Sequence, residues 1–338
     1  MEPSDFTMRT PTYPQLIARL LSVRKAPSAA LKTIVLLPAR RMTMALMTMA
    51  QVAMVLMAAL LTVSSAHAGE KNLVAVSFIP EAGGISEIAQ HDGMLWLGVD
   101  MDIREGWHVY WRNPGDSGLP TTIRWNPHPY LTPGEIHWPR PSRFDEDGIT
   151  TYGYSGRVTL LVPVVLSPDG TAGNSRNHPL TADINWLVCK EICLPESATV
   201  SMGISDDGAF GGFSDSGTER IAYSRDQVPQ IVEDWQGSAV LADREFEITL
   251  TPVTENAVFP DEQEIYFYPD RQGLIEHTAP QTVRRDGDNL TISIPVSRYL
   301  RTTPEKLHGV LSADGSWVRD HTRPAIELIL PVTLSNQR

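Results

Sequence analysis

Cysteine is almost absent from this chain: 338 residues carry two, Cys189 and Cys193. That leaves no disulfide framework of the kind that staples small secreted domains, and with 42% hydrophobic residues the chain has a core of its own. A sustained helical period is also missing up to about residue 204, and strands do not alternate with helices. A thioredoxin-like or nucleotide-binding α/β fold is thereby disfavoured. Basic charge is scarce too. Residues 1–68 hold seven Lys/Arg and two acids, so the remainder carries 21 basic and 38 acidic residues (28 less 7, and 40 less 2), a net charge of −17. Nucleic acid and anionic membrane surfaces need a basic face and are excluded as partners. A soluble acidic protein steering towards basic patches on other proteins is permitted.

One long stretch lacks charge altogether. After Arg40 and Arg41, no Asp, Glu, Lys or Arg occurs until Glu70, and the run ends in Ala66-His67-Ala68. A basic flank, an apolar segment and a small-x-small ending form the pattern of a secretory signal cleaved after Ala68. The apolar length would also suit a retained membrane anchor. The 40 residues ahead of Arg41 are uncommon before a signal and suggest a mis-set start codon upstream of residue 42. No spanning segment follows, so cleavage leaves an exported chain with no membrane insertion.

What fills the rest is a strand code. Segments such as LVAVSFIP, MLWLGVDMDI, RVTLLVPVVL, LTADINWLVC and ATVSMGI place apolar residues at every second position, and 26 Pro and 24 Gly punctuate them. The reading is all-β: two immunoglobulin-like antiparallel β-sandwich domains after the signal segment, over residues 69–205 and 240–338. Residues 206–239, rich in Gly, Ser and Asp at the start, read as a linker holding at most a helical turn or two. Trp107, Trp111, Trp125 and Trp138 sit at strand positions and read as core aromatics. His108 reads as a structural or solvent-facing strand residue, and Asp145, Glu146 and Asp147 as a solvated turn.

Three chemistries are open to a cysteine pair spaced by three residues. As a staple, closing a five-residue loop stabilises a fold by only about 2 kcal/mol. As a metal site, two thiolates could hold a soft ion such as Cu(I), but His178, the nearest histidine, lies more than ten residues away. As a redox pair, the short loop keeps both sulfurs together in either state, so the bond can open without dismantling the domain. Lys190 favours a thiolate at Cys189, which suggests Cys189 as the nucleophile, while Glu191 opposes it. Neither a resident metal nor a cofactor is expected.

The stretch INWLVCKEICLPESATV, together with GWHVYWRNPGDSGLPTTIRW and IHWPRPSRFDEDGITTYGYSGRVTLLVPV, resembles the N-terminal periplasmic domain of the thiol:disulfide interchange protein DsbD and its copper-tolerance-associated relatives. IYFYPDRQGLIEHTAPQ and LHGVLSADG are similar to the companion domain of the longer relatives. The resemblance implies an immunoglobulin-like sandwich that takes electrons from a membrane-embedded thiol reductase. It would pass them to periplasmic thioredoxin-like proteins, disulfide isomerases or cytochrome c maturation factors. Carried over by position, Cys189 and Cys193 become the catalytic pair. Tyr152, Gly153 and Tyr154 fall near the place of the family's shielding cap, and Trp186, Lys190 and Pro195 flank the pair. The membrane and thioredoxin-like domains of the family have no counterpart among these residues. Copper binding by the same thiols, or a non-redox interaction module, are the competing functions.

Overall fold

Alternation predicts strands that are apolar on one side, and the computed structural model has them. It describes residues 72–335 apart from 91–92, 167–177, 206–207 and 320–321, so the expected signal segment lies outside the described residues. Among the described residues strands make up 55% and helices 7%, which bears out the all-β reading. The first region contains β1 (Val74–Pro80), β2 (Met94–Ile103), β3 (His108–Gly115), β4 (Thr122–Trp125), β5 (Leu131–Pro133), β6 (Ser142–Glu146), β7 (Ile149–Ser155), β8 (Arg157–Leu166), β9 (Leu180–Cys189) and β10 (Cys193–Met202). They form two antiparallel sheets, ordered β1-β2-β8-β5 and β10-β9-β3-β7-β6, with β4 paired to β9. Val99, Met101, Leu160, Val162, Ile184 and Val188 fill the space between the sheets, all fully or almost fully buried. Trp111 is fully buried there, and Trp107, Trp125 and Trp138 pack partly buried against the same core.

β8 is buried on both faces. Its even-numbered residues face the opposing sheet, and Leu161 packs with Ile79 against Ile221 of a helix, Asp215–Gln227. That helix stands where the sequence suggested linker with at most a turn or two. Ser214 caps it, accepting from the Gly217 backbone N–H, and the Ser224 hydroxyl donates to the Thr159 carbonyl of β8. Its buried residues are Gly217, Ile221 and Ser224, so the docked face carries one large apolar side chain and leaves no hydrophobic stripe to read.

The second region holds β11 (Trp235–Ala242), β12 (Glu245–Pro252), β13 (Tyr266–Pro269), β14 (Thr282–Asp286), β15 (Asn289–Pro295), β16 (Lys306–Ser312) and β17 (Ala325–Leu334). They make one continuous sheet, β13-β16-β17-β11-β12-β15-β14. β17 joins its two halves, running antiparallel to β16 and, further along, parallel to β11 through Ala239↔Val332. The sheet encloses a second core around Trp317, Phe246, Phe267, Ile248 and Ile292. Lys71–Arg338 nevertheless form one compact unit. Asn113 donates to the Pro269 carbonyl at 2.8 Å, Gln272 donates to the Gly115 carbonyl at 2.9 Å, and Arg112 pairs with Asp270 at 2.7 Å. Each bond ties β3 or its end to the second region.

Candidate redox site

Directly paired residues on antiparallel strands share a sheet face, and alternate residues along a strand change face. Register therefore sorts the side chains around the cysteines. Cys189 pairs with Cys193 across β9 and β10, and with His108 across β9 and β3. His108 pairs with Ser155, Tyr110 with Gly153, Gly153 with Ser142, and Glu146 with Ile149. One face thus carries Cys189, Cys193, His108, Tyr110, Phe144, Glu146, Ile149, Leu187 and Pro195. The other carries Val109, Val188, Trp186, Tyr152 and Tyr154, all in the sandwich core. The disulfide lies on the face turned away from that core.

Cys189 and Cys193 are disulfide-bonded with their Cα atoms 4.1 Å apart, closing a hairpin whose strands remain paired over ten positions. The two sulfurs differ in setting. Cys189 is buried, at 2% exposure, whereas Cys193 is exposed. The Tyr110 hydroxyl donates to Cys189 Sγ at 2.8 Å and lies 3.4 Å from Cys193 Sγ. Tyr110 is itself buried, with the Gly118 backbone against its ring. Burial and then the nearby Glu146 carboxylate push its phenol above the ordinary value, so it stays a protonated donor at neutral pH. His108 stands edge-on to Tyr110 at 5.3 Å and stacks on Phe144 at 4.6 Å. Burial lowers the His108 imidazole below its ordinary value, against the opposing pull of Glu146.

The expected site residues divide by face. Tyr152 and Tyr154 do not reach the disulfide. The Tyr152 hydroxyl meets Tyr266 Oη and His277 Nδ1, each at 2.9 Å, and the Tyr154 hydroxyl donates to the Pro139 carbonyl at 2.7 Å. Their parity on β7 puts them in the core, opposite the cysteines. Gly153, between them, is on the disulfide face beneath Tyr110. Trp186 is also on the core face, donating to Glu196 at 3.3 Å, whereas Pro195 shares the cysteines' face and is exposed. Lys190 is exposed in the loop between the cysteines, beside Gly106. Tyr110 and Phe144 were not singled out by the sequence, and His108 was read as merely structural or solvent-facing. The Asp147-Gly148 pair is the signal that could have found Phe144: it forms a two-residue turn with φ of 51° and 77°, fixing the β6–β7 register. Among the described residues there is no group of three or more His, Cys, Asp or Glu arranged to hold a metal ion.

The family described as "Thiol:disulfide interchange protein DsbD, N-terminal" matches residues 77–203, the segment that holds every strand of this site. Among solved structures, the N-terminal periplasmic domain of ScsB from Proteus mirabilis aligns with a TM-score of 0.53 and 19% identity, over 76% of this chain and 92% of that one. That overlap is longer than the matched segment and establishes likeness of fold. Domains 5-6 of the S-layer protein SbsC align over 71% of this chain and 90% of that one, at 9% identity and a TM-score of 0.18, a value too low to argue from. No curated protein matches the chain. The cysteine hairpin lies inside the matched segment and the sandwich fold surrounds it, so residues 77–203 are similar to the DsbD N-terminal domain in sequence pattern and in fold.

Proposed function

We propose that this protein is a periplasmic thiol–disulfide exchange module. In this reading it passes electrons between a membrane-embedded thiol reductase and periplasmic thioredoxin-like or disulfide-isomerase partners through Cys189 and Cys193. The observation that carries the proposal is the asymmetry of the pair: one sulfur buried under a tyrosine hydroxyl, the other on the surface. In the reduced state, the Cys193 thiolate attacks a partner disulfide and expels one partner thiol. The Cys189 thiolate, held by Tyr110, then attacks Cys193 Sγ and releases the second. The two protons leave with the partner's thiols, and the hairpin regains its disulfide. Exposure thus favours Cys193 over Cys189 as the attacking group, the reverse of what Lys190 suggested. The DsbD family match and the likeness to a periplasmic ScsB domain support both the chemistry and the compartment.

A staple is poorly motivated, because the ten paired positions of β9 and β10 already hold the hairpin together. Copper-handling CxxxC sites of the thioredoxin fold place the motif at the head of a helix, whereas strands stand on both sides of it here.

Partner trapping tests the mechanism. Cys189→Ala, which keeps the exposed thiol and removes the resolving one, is expected to accumulate mixed disulfides; Cys193→Ala is expected to trap few. The reading is overturned by a reduction potential well below about −300 mV, the range of inert bridges, together with no mixed disulfide from either variant.

A further inference from the structure

The face that carries the disulfide is apolar at its centre and anionic around it. Leu119 is 64% exposed and Ile192 62% exposed, against a general rule that scattered large apolar residues sit singly. Leu119 and Pro120 line a groove of about 520 Å³ with Leu187 and Pro195, the pair next along this face from Cys189 and Cys193. Ile149, on the same face by register, is 47% exposed. The exposed carboxylates here are Glu146 and Glu191, with Asp147 at the hairpin turn, none in an ion pair among the described residues; Glu196, half-buried and bonded to the Leu73 N–H and Trp186, also lines the groove. Glu146 is close enough to act electrostatically on both His108 and Tyr110. Lys190 is the cation between the cysteines. The net charge of −17 beyond residue 68 adds to the local field rather than opposing it.

We propose that this face docks a protein partner whose disulfide is flanked by apolar residues and ringed by lysine or arginine. The proposal rests on the exchange reading above and adds the chemistry of the partner. An acidic rim speeds encounter with a cationic surface and repels an anionic one, and the apolar centre supplies the contact that excludes water once the sulfurs meet. Leu119 and Ile192 are the anchors, and Glu146 and Glu191 are the selecting charges.

The test uses the reduced full chain and three small disulfides: cystamine (cationic), 3,3′-dithiodipropionate (anionic) and 2-hydroxyethyl disulfide (uncharged). In each reaction two protein thiols become one disulfide, and one probe disulfide becomes two thiols that carry away the protons. The ratio of cystamine to dithiodipropionate rates is expected to fall about fivefold in Glu146→Gln/Glu191→Gln and to fall in the unaltered protein as salt rises. Comparing ratios cancels the charge of the attacking thiolate, which is common to both proteins. Leu119→Thr/Ile192→Thr is expected to slow oxidation by a disulfide-linked Lys-Cys-Leu peptide about tenfold while leaving the 2-hydroxyethyl disulfide rate unchanged. A pair that turns over with the uncharged probe, but whose charge ratio does not respond to the Glu substitutions, overturns this proposal alone. A pair inert to all three probes overturns the exchange reading and this proposal with it.

Discussion

In the disulfide-bearing region the outward sheet face holds the cysteines with Tyr110 and His108, whereas in the second region most of the large aromatic side chains turn inward or towards the first. Trp317, Phe246 and Phe267 fill its core. Tyr266, Tyr268 and His277 instead meet Tyr152, and Tyr268 lies within the first region's core cluster. Arg143 of β6 lies over the Tyr266 ring at 5.0 Å. The hairpin β6–β7 therefore has two different neighbours. Its disulfide-side face presents Phe144 to His108, and its opposite face presents Arg143 and Tyr152 to the second region. One half of the molecule carries the disulfide and the other backs the strands that border it. A site that must meet a partner needs one open face, and the rigidity lost there is supplied from behind.

Substitution is least tolerated where β7 meets β3. A Cβ on Gly153 would lie 1.9 Å from the Val109 carbonyl oxygen, which is backbone and cannot swing aside. Gly309 has the matching place in the second region, 2.4 Å from the Tyr268 carbonyl oxygen. Each alanine substitution is expected to cost about 3 kcal/mol, read as a drop in the denaturant midpoint. Their effects on chemistry should differ. Gly153→Ala lifts β7 beneath Tyr110 and is expected to change the rate at which the reduced pair reacts with an uncharged disulfide. Gly309→Ala should leave that rate unaltered in the folded fraction. Equal effects on the rate would show that the two regions do not divide the work this way.

A smaller effect tests the buttress itself. Tyr152→Phe removes the hydroxyl between Tyr266 and His277, leaving buried polar atoms short of a partner at a cost of about 1–3 kcal/mol. His277 supplies a pH signature. Burial holds its imidazole below the ordinary value, although Asp116 and Glu276 pull the other way. The unfolded chain then binds the proton more readily, so stability falls as pH drops through the window below about 6.5, with a slope of up to about 1.4 kcal/mol per pH unit. His277→Gln is expected to flatten that slope. An unchanged slope would assign the acid sensitivity to His108, His128 or His137, whose pKa values burial also lowers.

These assignments show which parts of the molecule the sequence could express. Half-buried strands announce themselves by alternation, so segments such as MLWLGVDMDI and LTADINWLVC were readable, and the cysteine spacing together with its flanking strands pointed to the disulfide. The helix Asp215–Gln227 was not readable, because Gly217 and Ser224 make most of its buried face and neither registers as apolar. The surroundings of the pair were half readable. Tyr152 and Tyr154 lie near the site along the chain, but a strand reverses its side chains at every residue, and parity is set by pairing with distant strands. Only the β3–β9 and β3–β7 registers reveal that Tyr110, not Tyr152, shares the face of Cys189.

Tyr110 gives the gentlest test, and it acts on the chemistry rather than on the fold. Its hydroxyl donates to Cys189 Sγ at 2.8 Å, and a thiolate accepts such a bond more strongly than a disulfide sulfur does. The bond therefore favours the reduced state, and Tyr110→Phe should shift the reduction potential to a more negative value. If the differential is about 1 kcal/mol, a two-electron couple moves by roughly 20 mV, measurable by equilibration with glutathione or dithiothreitol buffers. The substitution should also raise the thiol pKa of Cys189, visible as a shift of the thiolate absorbance to higher pH. A matching loss at Tyr266→Phe, which lies on the far side of the hairpin, would mean that both hydroxyls act through general packing. A shift confined to Tyr110→Phe would place the tuning of the pair on the open face, leaving the second region only its mechanical part.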